Sequence, residues 1–332
     1  MAGLTITTTT GITDSIQIYL NKKLLEQTLQ NIVLDQFAYK SPLPSKVGSK
    51  SVRFFRYPTP SVGDIVTGLS EGVAGVPAVA AYKQLTLTTV DCTLAETGQV
   101  VGISSLLSAV ELFNHMEQAT VQNGQDCALY VDSELRDVLG ESYTGTGTTL
   151  QLRYAGAATG YSTVTGTDDA MTALDILDAS TNLRVNNART SNGYFTAIMA
   201  PEVSRDLMND DDWLEASRYG DVEQIYRGEV GRYCGVRVVA STNPFRQVTT
   251  SGQGTYSAAG DVYSTFVVGD QSYGGVDLAS MSAYAPKMMI AQGPDKSDPL
   301  AMLTTVGFKI YYGTCIINDQ HAVNIYSTTN YS

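Results

Sequence analysis

The sequence predicts an α+β chain in which long strands pack along one unusually long helix. Three observations predict it. Between 104 and 140, Leu106, Val110, Phe113, Val121, Ala128, Val131, Leu135 and Val138 recur at spacings of three, four or seven, with one turn skipped near Glu117. That is the period of a helix with one apolar face. Strand-like alternation flanks it, at 50–57 and 82–103 before it and from 288 onward after it. Between about 168 and 285, short apolar strands alternate with helical segments, the pattern of a separate α/β lobe.

The helix comes first because the rest depends on it. Ser104 and Ser105 can cap its start, and Gly140 is a natural stop. About 35 residues at ~1.5 Å each make a rod of roughly 50 Å, with Gly124 as the place to bend. A small domain cannot bury such a rod, so sheets from elsewhere must lie along it. It is a spine.

Ahead of it, residues 1–12 are Thr-rich and nearly uncharged, an arm with no core of its own. Thr13 and Asp14 cap a predicted helix carrying Ile16, Tyr19, Leu20, Leu24 and Leu25, which ends before Pro42-Leu43-Pro44. A single amphipathic helix on a long lead needs a docking place, and a neighbouring chain can supply one. Strands at 50–57 and 82–103 then enclose a stretch rich in Pro, Gly, Ala and Val from 58 to 81. That is an extended hairpin with a tip of ~24 residues. Its open edges need a partner; a hairpin laid back on its own domain is the alternative.

After the spine, 141–167 is a Gly/Thr-rich loop around one short strand at 149–154. Thr167 and Asp168 cap a helix through Ala170, Leu174, Leu177 and Thr181. A strand at 193–199 leads to a helix opened by Pro201, whose missing N–H costs nothing there. Broken helix at 213–226 and strands at 236–240 and 265–268 complete the lobe. The tail reads as strands at 300–312, 313–318 and 321–326, the natural cover for the spine.

Composition narrows the function. The 332 residues exceed one compact core, and 43% are hydrophobic, so two domains plus extensions are expected. Tyr (20) far outnumbers Phe (8) and Trp (1), which suits half-wet surfaces between subunits. Net charge is −12 without a basic stripe, so any nucleic acid nearby is enclosed rather than gripped. Cys92, Cys127, Cys234 and Cys315 are widely spaced, predicting buried free thiols rather than a disulfide framework. The start lacks a secretory pattern and no apolar run reaches membrane-spanning length, which predicts a protein made in a reducing cytoplasm.

Catalytic chemistry finds no support. The two histidines, His115 in the spine and His321 between late strands, lack the company of a nucleophile or a metal-ligand set. Gly145-Thr146-Gly147 has no following Gly-Lys-Ser/Thr and reads as a turn. Asp210-Asp211-Asp212, with Asp206 and Asn209, could offer oxygens to Ca²⁺ but lacks the loop spacing of a dedicated site, and a helix cap facing water is the better account. No enzyme, no cofactor and no metal site is expected.

Several strings, in order, resemble the major capsid proteins of tailed bacteriophages, in particular a branch found in large-genome short-tailed phages and their relatives. They are Tyr19-Leu20-Asn21-Lys22-Lys23-Leu24-Leu25, Asp35-Gln36-Phe37 and Pro42-Leu43-Pro44; then Ser51-Val52-Arg53-Phe54-Phe55-Arg56-Tyr57 and Leu69-Ser70-Glu71-Gly72-Val73. Further on come Ala200-Pro201-Glu202, Gly231-Arg232-Tyr233-Cys234-Gly235-Val236-Arg237, Asp298-Pro299-Leu300 and Gly307-Phe308-Lys309-Ile310-Tyr311-Tyr312-Gly313. The chain departs from the family's pattern at Glu96-Thr97-Gly98, Ser104-Ser105 and Phe308, all structural positions.

The resemblance implies the Johnson fold (the Hong Kong 97-type phage capsid fold), divided into an N-terminal arm (1–45), an extended loop (46–102), a peripheral domain holding the spine (103–165 and 288–332) and an axial domain (166–287). It implies a structural subunit of an icosahedral virion head, a homo-oligomer of pentamers and hexamers that encloses double-stranded DNA without reading its sequence. Scaffold, portal and decoration proteins are the further partners expected, with no membrane. Subunit-interface candidates are Tyr19 and Leu24 on the arm helix, Arg53 and Arg56 on the hairpin, and Leu69 and Glu71 at its tip. Two rival readings are a shell of the same fold that loads protein cargo, and a secreted β-rich adhesive or carbohydrate-active protein.

Overall fold

The spine is a continuous helix of 26 residues, His115–Gly140, about 39 Å long. Its buried stripe runs Ala119, Thr120, Asn123, Gly124, Cys127, Ala128, Val131, Asp132, Leu135 and Leu139, returning every three or four residues. Gly124 sits inside this stripe and the helix runs through it. The computed structural model describes residues 33–44, 48–57, 86–110, 115–140, 150–160, 163–164, 168–218, 231–243, 246–247, 262–278, 287–291, 294 and 298–331. The expected arm helix and the hairpin tip at 58–81 lie outside these residues.

In chain order, a 3-10 turn at Leu34–Gln36 precedes β1 (Tyr39–Lys40), and the hairpin base follows as β2 (Ser51–Arg56) and β3 (Thr88–Thr93). Next are β4 (Ala95–Ser104), a short helix α1 (Ser105–Val110), the spine α2 (His115–Gly140) and β5 (Gln151–Tyr154). The lobe contributes α3 (Ala173–Val185), β6 (Phe195–Met199), α4 (Pro201–Met208), α5 (Asp211–Arg218), β7 (Arg232–Tyr233), β8 (Val236–Ala240) and β9 (Arg246–Gln247). The chain closes with β10 (Val262–Val268), β11 (Tyr273–Asp277), β12 (Lys287–Ala291), β13 (Leu303–Ile316) and β14 (Ala322–Ser327).

Two large sheets, and the two-stranded pair β2-β3 at the hairpin base, organise these strands. In the first, β13 is the hub: it pairs antiparallel with β4 over ten residues, with β12 and with β11, and β11 carries β1 in parallel. Its inner face meets the spine, so Val306, Phe308, Ile310 and Tyr312 pack with Cys127, Val131, Leu135 and Leu139. The second sheet runs β5-β14-β10-β6-β8-β7, with β9 on β10. It packs against α3 and α4 through Ile176, Leu183, Val203, Leu207, Phe195, Val267 and Ile325. Every residue of β10, β6 and β14 is buried, the polar Thr196, Ser264, Thr265, Asn324 and Ser327 among them.

Several expectations are corrected here. Ser104 ends β4, and its Oγ accepts the Leu107 N–H at 3.3 Å, a cap at the expected place, on the helix described over Ser105–Val110; residues 111–114 lie outside the described residues. Leu106 and Val110, expected on the buried face, are 74% and 76% exposed. The predicted strand at 82–103 is two strands with different partners, β3 on β2 and β4 on β13. The strands expected at 300–312 and 313–318 are one, because Gly313 marks a close backbone approach and not a turn. The last strand, β14, joins the lobe's sheet rather than covering the spine, while β11 leaves the lobe for the spine's sheet.

The α3 face and cap also differ from expectation. Its buried apolar residues are Ala173, Ile176, Ala179 and Leu183, and Leu174 points outward. Thr172, not Thr167 or Asp168, precedes the first turn; its N–H and Oγ both donate to the Asp175 carboxylate, at 3.0 and 2.8 Å. Pro201 occupies the first turn of α4 as expected.

Candidate assembly surface

An assembly surface needs a rigid platform and uncovered groups on it. The platform begins where the arm meets the spine. Asp132 stands on the spine's buried stripe, and its carboxylate accepts the Val33 N–H at 2.9 Å and the Leu34 N–H at 3.2 Å. One turn of arm backbone is thereby hung on the helix. Tyr273 donates to the Leu34 carbonyl at 2.6 Å, and Tyr312 donates to Asp35 Oδ1 at 2.8 Å. Lys40 lies 3.3 Å from the other Asp35 oxygen. Gly275 makes room for this group, since a Cβ there would sit 2.5 Å from the Tyr312 hydroxyl and 3.1 Å from Asp35 Oδ1.

Burial pushes the carboxyls of Asp35 and Asp132 up to about 6, and raises Asp277 beside Lys40. Because the folded values lie above the unfolded ones near 3.8, the folded state holds extra protons between them. The stability this contributes is present in full below about 4 and is lost as pH rises through about 6. Thermal midpoints should therefore show a component that falls from pH 5 to pH 7.5. Asp35→Asn should flatten that component relative to the parent chain; identical slopes in both proteins would contradict the buried-carboxyl account.

The hairpin base is fixed to this platform. A satellite core of Leu43, Cys92, Val276 and Cys315 lies beneath it, with Val52, Phe54, Val90 and Leu94 packed around. Arg56 bridges from β2 to the β13–β14 turn, donating to Asn318 and Asp319 at 2.7 Å each. Arg53 forms a two-point pair with Asp91 across the hairpin, at 2.6 and 2.8 Å, and stays exposed. Both arginines thus meet carboxylates of their own chain. Tyr19, Leu24, Leu69 and Glu71 lie outside the described residues.

The uncovered groups gather at one end of the first sheet. Here the Ser105 N–H donates to the Met302 carbonyl at 2.8 Å, joining α1 to the entry of β13. Around that joint Leu106, Leu107, Val110, Leu300, Met302 and Leu303 are all exposed, Leu300 at 80%. Leucines held in water on this stretch of helix add no buried surface within the single chain. Beside it, β4 pairs among the described residues with β13 alone, and Ile103 is its one buried residue. Phe55 and Tyr57 are also exposed, on the hairpin base toward the other end of β13, where Arg56 meets Asn318 and Asp319.

The lobe's acidic run is structural. The Asp210 carboxylate accepts the Ala173 N–H at 2.6 Å at the start of α3, and Asp211 and Asp212 lie exposed in the first turn of α5. Asp206 accepts from Thr329 Oγ1 and the Asn330 N–H, both at 2.7 Å, pinning the tail. Among the described residues no group of three His, Cys, Asp or Glu side chains is arranged to hold a metal ion, and no helix is long and apolar enough to cross a membrane. His115 opens the spine and His321 closes a 3-10 turn, where burial lowers its pKa.

Asp35 and Asp132 are the residues that sequence reasoning passed over. The signal for Asp132 was present: a carboxylate at the position between Ala128 and Leu135 falls on the apolar stripe, where it must be paired. Asp35 carried no such mark.

A long helix under a β13-centred sheet, a hairpin base fixed beside it and a separate α/β lobe make up the described architecture. No family model and no curated protein matches the sequence. Solved structures do match it in fold. The capsid of cyanophage P-SCSP1u superposes with a TM-score of 0.61 at 18% identity, over 90% of this chain and 89% of that one. The capsid of cyanophage Pam1 gives 0.65 at 17% identity, over 86% and 87%. The encapsulin of the SrpI complex from Synechococcus elongatus is also similar, at 0.52 and 10% identity, over 90% and 87%. The fold is the α+β Johnson fold of Hong Kong 97-type capsids.

Proposed function

We propose that the chain is the major subunit of an icosahedral tailed-phage head, a virion protein made in the host bacterial cytoplasm. The observation that carries this reading is the uncovered apolar end of the first sheet, Leu106, Leu107, Val110, Leu300, Met302 and Leu303, on a chain with the capsid fold. Copies cover one another there, and burial is summed over several contacts per subunit. Obligate interfaces of that kind commonly exceed ~2,000 Å². Head-to-tail contacts close into pentamers and hexamers, which tile a shell.

On this reading residues 1–45 form the arm, 46–102 the extended loop, 103–165 with 288–332 the peripheral domain, and 166–287 the axial domain, with β5 and β14 exchanged into the axial sheet and β4 and β11 into the peripheral one. Tyr19, Leu24, Leu69 and Glu71 reach neighbouring subunits. Arg53 and Arg56 brace the hairpin that carries the contact. The net charge of −12 leaves packed DNA free to move against the wall. Portal, scaffold and decoration proteins act as separate partners, and the role is structural.

A protein-cargo shell is the second reading, favoured by the likeness to the encapsulin. Particles isolated from producing cells and treated with nuclease separate the two by their 260/280 nm absorbance ratio. Nuclease-protected DNA is the expected result. Megadalton particles with a protein-like ratio support the cargo shell, and a monomer on size exclusion overturns both.

A further inference from the structure

The satellite core beneath the hairpin holds two thiols that are far apart in sequence and side by side in space. Cys92 lies on β3 and Cys315 on β13; both are buried, at 0% and 8% exposure. They share that core with Leu43 and Val276, near enough that each thiol shifts the other's pKa. The two backbones cross closely here, because a Cβ on Gly313 would collide with the Thr93 carbonyl oxygen. Yet β3 is paired with β2 and not with β13. Apolar packing and the Arg56 bridge are what hold the hairpin base to the sheet.

We infer that Cys92 and Cys315 are a disulfide-forming site, a covalent staple between the hairpin base and the strand that covers the spine. The chemistry is asymmetric. Each thiol acts on the other, lowering the Cys92 pKa and raising that of Cys315. Cys92 is therefore the sulfur that ionises first and attacks. Its thiolate displaces one thiolate from a low-molecular-weight disulfide, forming a mixed disulfide. Cys315 then loses its proton to solvent, attacks the Cys92 sulfur and expels the second small thiolate. Two protein thiols are oxidised and one external disulfide is reduced to two thiols. Burial makes the exchange wait on opening of the hairpin base, so the site is slow to oxidise and slow to reduce. Cys127 lies elsewhere, inside the spine's core, where burial pushes its thiol up to about 12, and it takes no part.

The staple is a property of the single chain and does not rest on the shell reading. The test uses the full-length protein incubated with oxidised glutathione, then denatured, alkylated, digested and mapped by mass spectrometry. A Cys92–Cys315 linked peptide is expected, with Cys127 and Cys234 alkylated. The thermal midpoint should rise on oxidation and return with dithiothreitol, and Cys92→Ser should abolish that rise. Should the variant fail to fold, the parent-chain map decides alone. Recovery of Cys92 and Cys315 as alkylated thiols, as glutathione adducts only, or linked to other cysteines overturns the assignment.

Discussion

Replacing Leu106, Val110 and Leu300 together by serine is expected to abolish particle formation while leaving the single chain folded. These side chains are 74%, 76% and 80% exposed, so within one molecule their loss removes almost no buried surface. Exposed substitutions of this kind usually change stability by less than about 0.5 kcal/mol each. At an interface the balance reverses. Each large aliphatic side chain buried against a neighbour contributes about 1.5–3 kcal/mol, and the loss repeats in every subunit of the shell. Sedimentation and circular dichroism read the two halves separately. Intact shells from the triple variant would remove this end of the sheet from the assembly account; an unfolded monomer would show that the patch belongs to the chain's own core.

Asp132→Ala should be the most damaging single change to the platform. It leaves the N–H groups of Val33 and Leu34 without their acceptor, and Leu34 is almost wholly buried. Unsatisfied buried donors cost about 1–3 kcal/mol each, so a loss of about 3 kcal/mol is expected. Asp132→Asn keeps a carbonyl oxygen for those donors and removes a carboxyl that burial has already pushed up to about 6. Its cost should be under about 1 kcal/mol. Hydrogen exchange at residues 33–43 distinguishes the pair: fast in the alanine variant, near the parent in the asparagine variant. Equal exchange in both would mean that the carboxylate does not hold the arm.

What could be read from the residues divides by range. The spine's existence was legible because Ala128, Val131 and Leu135 repeat at helical spacing along its buried stripe. The exposure of the residues ahead of it was not. Leu106 and Val110 continue the helical spacing, but in the helix Ser105–Val110 their side chains face outward. Periodicity reports that a face is apolar and is silent on which molecule covers it. Gly313 illustrates a second limit: a glycine inside a strand pattern reads as a break, whereas here it admits the backbone of β3. The exchange of β11 and β14 between sheets was invisible for a plainer reason. Alternation identifies a strand, and pairing partners tens or hundreds of residues away leave no local trace. The ion pairs of Arg53 and Arg56 follow the same rule, since Asp91 and Asp319 are neighbours only in the folded chain.

An electron cryomicroscopy reconstruction of purified particles tests the central claim most directly. The account predicts an icosahedral shell in which a second copy covers α1 and the entry of β13, so that Leu106, Val110 and Leu300 lose their solvent exposure. A shell in which those side chains face open water, or a preparation that contains only free monomers, would contradict it.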